Sequence, residues 1–323
     1  MTQPRRLPSR LPHATTRRVR GRRFFLKPTA WVADLTRYCV ALAAGRHREG
    51  ISLYAYTAQA NHTHANLKDL HAEGELSVLP FFKRDLHRNL ACALNDHYGE
   101  AEGVWGPGSY SNTEIHSPLS VDRQLVYLWT QPVRDGLCER LEDWPGFMLL
   151  PEDFGKIIFA RRPPGAYFGT TRRRDPSVPP QPTERTPQIA SFRVGVPPGY
   201  EDLPLDLVRA YFRFLLDAAL DDLRAERERR DLGYRGIPAV LAQSHLDSPG
   251  PVVNDGSLNP RIACAGDVAH LRWVLAGFRA WRDVYRFAYE DLLAGQDAVF
   301  PPGTWGRHCY PRALPLPCGP PPD

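Results

Sequence analysis

Residues 51–67, ISLYAYTAQANHTHANL, decide the fold. ISLYAYT (51–57) reads as a strand of β-branched and aromatic residues, and HTHANL (62–67) as a shorter strand after a tight connection. His62 and His64 are two residues apart, so on a strand both imidazoles leave the same face and can meet one cation. Thr63 then points the other way, toward whatever the sheet packs on. Imidazole suits transition metals, but two ligands do not complete a site, and the rest must come from another element.

Around this hairpin the periodicity changes from strand to helix. Before it, WVADLTRYCVALAAG (31–45) places Trp31, Leu35, Tyr38, Cys39 and Leu42 at helical spacing, with Gly45 as a stop. After it, LPFFKRDLHRNLACALNDHY (79–98) reads as an amphipathic helix and GVWGPGSYSN (103–112) as a Gly-rich loop. A further helix is expected over 119–131, N-capped by Ser120, with Asp122 in its first turn and Pro132 as its end. Phe24-Phe25-Leu26 suggests an opening strand over 19–27. Strand, helix, strand, strand, helix implies an α+β fold, an antiparallel sheet with helices on one face. The expected divisions are a disordered basic arm (1–18), a catalytic domain (19–160), a basic, Pro-rich linker (161–187), a smaller, mainly helical C-terminal domain (188–311) and a disordered tail (312–323). In the C-terminal region Trp273, Phe278, Trp281, Tyr285 and Phe287 read as core, without chemistry.

Composition bounds the function class. The net charge is +5, but residues 1–30 hold nine Arg or Lys and no Asp or Glu, and Arg172–Arg174 form a second basic cluster. Both attract polyanions; a solvated arm would have the same composition. The six cysteines contain no C-x-x-C pair, which excludes a zinc ribbon or a thioredoxin-type site and suits reduced thiols. No apolar run is long enough to span a bilayer and no secretory h-region is present, so a cytoplasmic protein without a membrane partner is expected.

The helix SVDRQLVYLWTQ (120–131) supplies candidate chemistry. Val121, Leu125, Leu128 and Trp129 form one face; Ser120, Gln124, Tyr127 and Gln131 form another. Tyr127 and Gln131, one turn apart, can bring a phenol oxygen and an amide oxygen to one small volume. A half-buried packing tyrosine would have the same spacing. A phenol, with pKa about 10, is a poor nucleophile unless a cation binds and orients the phosphate it attacks. Attack by Tyr127 would leave a 5′-phosphotyrosine and a free 3′-hydroxyl, and an acceptor hydroxyl would reverse the step without ATP.

AYTAQANHTH (55–64), YLWTQPVRDGL (127–137) and DWPG (143–146), in that order, resemble the REP-associated tyrosine transposases and the IS200-like single-tyrosine transposases of the HUH superfamily. WGPGSYS (105–111), LNPRIAC (258–264) and FPPGTWG (300–306) extend the likeness over roughly residues 17–311. Three positions depart from the family pattern: Thr63 stands between the histidines, the residues after His64 are polar, and Gln131 stands where Asn is commoner. The resemblance implies a ferredoxin-like (RRM-like) sheet, with Tyr127 as catalytic tyrosine, His62 and His64 as metal pair and Gln131 as third ligand. It also implies Mg²⁺ or Mn²⁺, single-stranded or hairpin DNA as substrate, and a monomer or homodimer associated with a bacterial nucleoid. Arg20, Arg22, Arg23, Lys83, Arg84 and Arg88 are candidate phosphate contacts. Trp105 and Tyr110 are candidate base-stacking residues, and Tyr110 is the alternative nucleophile. A catalytically silent DNA-binding protein on the same fold, or a replication initiator or relaxase with the same chemistry, are the competing readings.

Overall fold

The computed structural model describes residues 5–6, 10–72, 75, 77–106, 111–168, 186–249, 262–301 and 303–305. Its elements, in chain order, are β1 (Arg5–Arg6), β2 (Pro12–Arg18), α1 (Ala30–Arg46), β3 (Ile51–Ala58), β4 (His62–Asp69), α2 (Leu79–Tyr98), β5 (Ser111–Ile115) and α3 (Pro118–Arg134). β6 (Ile157–Arg161), β7 (Ile189–Arg193), α4 (Leu205–Arg229), α5 (Ile237–Ala242), β8 (Ile262–Ala263), α6 (Val268–Leu293) and β9 (Thr304–Trp305) follow.

The main sheet has the order β3-β4-β2-β5-β8. Its first four strands are antiparallel, and β2-α1-β3-β4-α2-β5 is a βαββαβ unit in ferredoxin-like order. β8 adds a parallel strand at the β5 edge. The fold is therefore α+β. β3, β4, α1 and α2 fall where the periodicity puts them.

The start of the chain differs from expectation. Residues 12–18, expected within a disordered arm, form the central strand, with β4 on one side and β5 on the other. The strand expected over 19–27 is instead a 3-10 turn at Arg20–Arg22, where Gly21 and Arg22 both have positive φ. Phe24, Phe25 and Leu26 are buried as a packed loop. A central strand needs pairing partners more than apolar side chains, and Thr15-Thr16 suit it despite the flanking arginines. β5, which begins at the end of the stretch expected to be loop (103–112), is another such polar strand.

The sheet is covered on both faces. Toward α1 and α2 point Thr63, Ala65 and Leu67, along with Tyr56, whose phenol meets Thr63. On this side Lys83 of α2 donates to Asn112 Oδ1 (2.8 Å), and Asn112 Nδ2 donates to His13 Nδ1 (3.1 Å). Burial, then the Lys83 charge, pushes His13 down to about 3, so its ring is neutral and accepts. On the other face lie His62, His64 and Asn66, their β2 neighbours Arg18, Thr16 and Ala14, and α3 crossing over them.

α3 is held by the buried indole of Trp129, which donates to the Leu149 carbonyl (2.7 Å) and packs against Phe154 and Phe212. Its N-cap is Ser117, not Ser120; Ser120 Oγ instead accepts from Ala265 N (2.7 Å). Asp122 is thus past the first turn, where it accepts from the phenols of Tyr200 (2.8 Å) and Tyr211 (3.0 Å). Nor does Pro132 end the helix, which runs to Arg134. The ending is a Schellman motif: Gly136 N–H meets Val133 O, Leu137 N–H meets Pro132 O, and Gly136 has φ +68°.

The expected linker does not divide the chain into two cores. β7 pairs with β6, and the pair packs on α1; α4 packs on α3. Residues from Val19 to Val240 share one hydrophobic core. A smaller cluster, Ala288, Ala298 and Phe300, lies at the end of α6. There Trp281 is buried as expected, whereas Trp273 and Phe287 are exposed, because α6 buries only a narrow stripe. Residues 169–185 of the linker and the 312–323 tail lie outside the described residues.

Candidate active site

The β3–β4 hairpin turns through Gln59–His62, with Gln59 N–H donating to the His62 carbonyl (2.8 Å). DWPG (143–146) supports it from beneath: the Trp144 indole donates to the Ala58 carbonyl, and a side chain at Gly146 would meet that oxygen at 2.9 Å. Ala58 N–H donates to Phe147 O, and Leu149 N–H to Tyr56 O. The turn carrying His62 is thereby fixed to the segment that also anchors Trp129 of α3.

Both imidazoles are held through Nδ1. His62 Nδ1 lies 2.6 Å from Asn61 Oδ1, and His64 Nδ1 2.8 Å from Thr16 Oγ1. With Nδ1–H donating in each case, the Nε2 lone pair is left free, the tautomer a metal ligand needs. The rings lie 4.7 Å apart, edge to face. His64 is 8% exposed, and its Nε2 is buried with no partner among the described residues. Burial, then Arg18 and Arg22, pushes His62 down to about 4; burial, then His62 and Arg18, pushes His64 well below its ordinary value. Both rings are therefore neutral at pH 7 and available as ligands.

Tyr127 reaches the pair from α3. Its ring meets His64 edge to face at 5.8 Å while 43% of the residue stays exposed. The Arg134 guanidinium lies over it at 5.4 Å. One turn on, Gln131 is buried and donates through Nε2 to the Tyr127 carbonyl (3.2 Å). The two elements singled out in the sequence thus meet, and Tyr127 faces the histidines rather than packing in the core.

An orphaned, buried imidazole nitrogen beside a second neutral imidazole fits a divalent cation. Among the described residues no group of three or more His, Cys, Asp or Glu could hold a metal. Further ligands would come from amides, substrate oxygens or water.

Of the other candidates, Arg22 acts electrostatically on His62 and on Asp135, at the end of α3. Arg20, in the same turn, pairs with Glu102, and Arg23 follows it. Lys83 is only 3% exposed and serves the buried Asn112–His13 chain, so it is not a phosphate contact. Arg84 pairs with Asp85 and lies over Phe81, and Arg88 is exposed; both belong to α2, across the sheet from Tyr127. Trp105 is not free for base stacking: its indole donates to His87 O (2.7 Å) and its backbone bridges to Val19. Tyr110 lies outside the described residues. Sequence reading missed Arg18 and Arg134. The signal for Arg134 was present, seven residues after Tyr127 and so on its face of the helix; Arg18 needed the β2–β4 register, which sets it opposite His62.

No helix among the described residues is long and apolar enough to cross a membrane. No protein-family model and no curated protein matches the chain. Among solved structures, that of a REP-associated tyrosine transposase bound to a REP hairpin is similar, with 18% identity, 47% of this chain and 85% of that chain covered, and a TM-score of 0.38. A likeness of that size adds nothing to the side-chain geometry.

Proposed function

We propose that this chain is a metal-dependent DNA strand transferase that cleaves and rejoins single-stranded, hairpin-associated DNA through Tyr127. The carrying observation is that the Tyr127 ring sits on His64, whose Nε2 is buried without a partner among the described residues. His62 and His64 would hold Mg²⁺ or Mn²⁺ with Gln131 as an amide ligand. Bound there, the cation would neutralise a phosphate and hold it for in-line attack. In the ligating tautomer Asn61 Oδ1 and Thr16 Oγ1 accept from the Nδ1–H groups of the two imidazoles. Arg18, Arg22 and Arg134 supply positive charge on the same face and draw the nucleic-acid backbone to it.

Tyr127 Oη forms the bond to phosphorus and gives up its proton to solvent. The P–O3′ bond breaks, and the leaving oxygen takes a proton to become the 3′-hydroxyl. Attack by another 3′-hydroxyl on the phosphotyrosine restores a phosphodiester and the phenol. No ATP is needed, because the energy of the broken bond is kept in the new one. The likeness to REP-associated tyrosine transposases in the motifs around His62 and Tyr127 agrees with this assignment.

The test is covalent capture. Labelled single-stranded hairpins of varied stem and flank are mixed with the protein in Mn²⁺ or EDTA, beside Tyr127→Phe and His64→Ala. A denaturant-stable, Mn²⁺-dependent adduct absent from both variants is expected. An adduct that survives Tyr127→Phe would move the nucleophile elsewhere. Tight hairpin binding without any adduct would leave a DNA-binding protein on this fold.

A further inference from the structure

Gln59 stands directly across the hairpin from His62 and on the same face as Thr57, which pairs with His64. Its amide Nε2 reaches back to Thr57 Oγ1 at 3.5 Å, so the side chain lies on the histidine face. The residue is 1% exposed, and its Oε1 has no partner among the described residues. A buried carbonyl oxygen without a donor costs roughly 1–3 kcal/mol, and such groups are rare in native proteins.

The nearby orphan is His64 Nε2, which is a lone pair in the tautomer whose Nδ1–H donates to Thr16 Oγ1. Two buried polar atoms without a partner among the described residues thus lie on adjacent strands and on one face. Asn66, the next residue on the face, leaves its Nδ2 bare, which is a donor and not a ligand.

We propose that Gln59 Oε1 is a further oxygen ligand of the cation held by His62 and His64, so that the hairpin alone contributes three of the ligands. Gln131 and Tyr127 come from a different element, across the site. The hairpin ligands then bind the cation before any substrate arrives, while α3 contributes the nucleophile. This rests on the metal reading proposed above and adds a residue to it.

The test measures Mn²⁺ binding to the full chain without DNA, by loss of the free-ion EPR signal and by calorimetry. Gln59→Leu is expected to weaken Mn²⁺ binding by roughly tenfold or more. Gln59→Glu, of the same size but with a charged oxygen, is expected to bind more tightly than the parent and to gain more in thermal midpoint on adding Mn²⁺. The Glu variant keeps the test decisive if the Leu variant does not fold. His64→Ala runs alongside. If it abolishes binding while both folded Gln59 variants match the parent, Gln59 is not a ligand and the histidine site stands. If His64→Ala also matches the parent, the cation site itself is wrong, and this inference falls with it.

Discussion

Thr16 is separated from Tyr127 in the chain by three strands and two helices, yet its hydroxyl is the hydrogen-bond partner of His64 Nδ1. In the ligating tautomer its Oγ1 accepts from Nδ1–H, and Thr16→Val keeps the shape while removing that acceptor. Mn²⁺ affinity, read by titration, should fall by roughly 10–100-fold with the fold unchanged; unaltered affinity would mean that the tautomer is fixed by something else. Arg18 and Arg134 make a different prediction. If they contact the backbone of a single strand, Arg18→Ala or Arg134→Ala should weaken binding evenly across sequences. Each should also lower the slope of log affinity against log salt by about 0.7. Of this candidate site, the shared faces of His62 with His64 and of Tyr127 with Gln131 could be read from spacing, because a two-residue step on a strand and a four-residue step on a helix each define a face. Gln59, Thr16 and Arg18 could not, since their positions follow from which strands pair and in what register.

At the scale of the element, α3 brings the nucleophile to the sheet, and its hold is concentrated in few side chains. Trp129 is fully buried among Phe154, Phe212 and the Leu149 carbonyl. Trp129→Ala should cost about 3–5 kcal/mol in denaturant unfolding, and Ser117→Ala, which removes the N-cap, about 1 kcal/mol. A loss below 1 kcal/mol for Trp129→Ala would mean that α3 is held from elsewhere. The sequence located this helix but placed both ends wrongly. Ser120 has the composition of a cap, yet Ser117 followed by Pro118 is the earlier and sufficient start. Pro132 reads as a stop, but the Schellman ending at Gly136 and Leu137 extends the helix two residues beyond it. β2 and β5 were missed for a related reason: PHATTRR and SNTEI are polar, and their burial comes from neighbouring strands that no local window contains.

Across the whole molecule, two buried carboxylates join separate elements: Asp85 ties α2 to the end of α1, and Asp69 ties the end of β4 to the segment leading into α2. Burial raises the pKa of each. In Asp85, hydrogen bonds from His47, Arg46 and Arg84 outweigh it; in Asp69, those from His71 and Ser77 do. Both therefore sit below their ordinary value of 3.8. A depressed carboxylate stabilises the folded state above its unfolded pKa, and that contribution is lost as pH falls through the folded value. Stability should thus drop below about pH 4, and Asp85→Asn and Asp69→Asn should each flatten that acid limb in pH-dependent unfolding. An unchanged limb in both would place the acid sensitivity in other groups. Domain division was the least readable feature: the prolines of 172–187 mark a break in composition, but β6 and β7 pair across it and α4 returns to α3.

The parallel strand β8 has a consequence for the order in which the protein is made. The four antiparallel strands are encoded by residue 115, whereas the strand that covers the outer edge of β5 is encoded only at 262–263. At ordinary translation speeds that interval lasts on the order of 10 s. Throughout it, a nascent chain with its sheet already assembled would present an open β-edge, the kind that recruits stray strands. The ribosome, or a chaperone waiting at its exit, would have to shield that edge until the last part of the chain arrives.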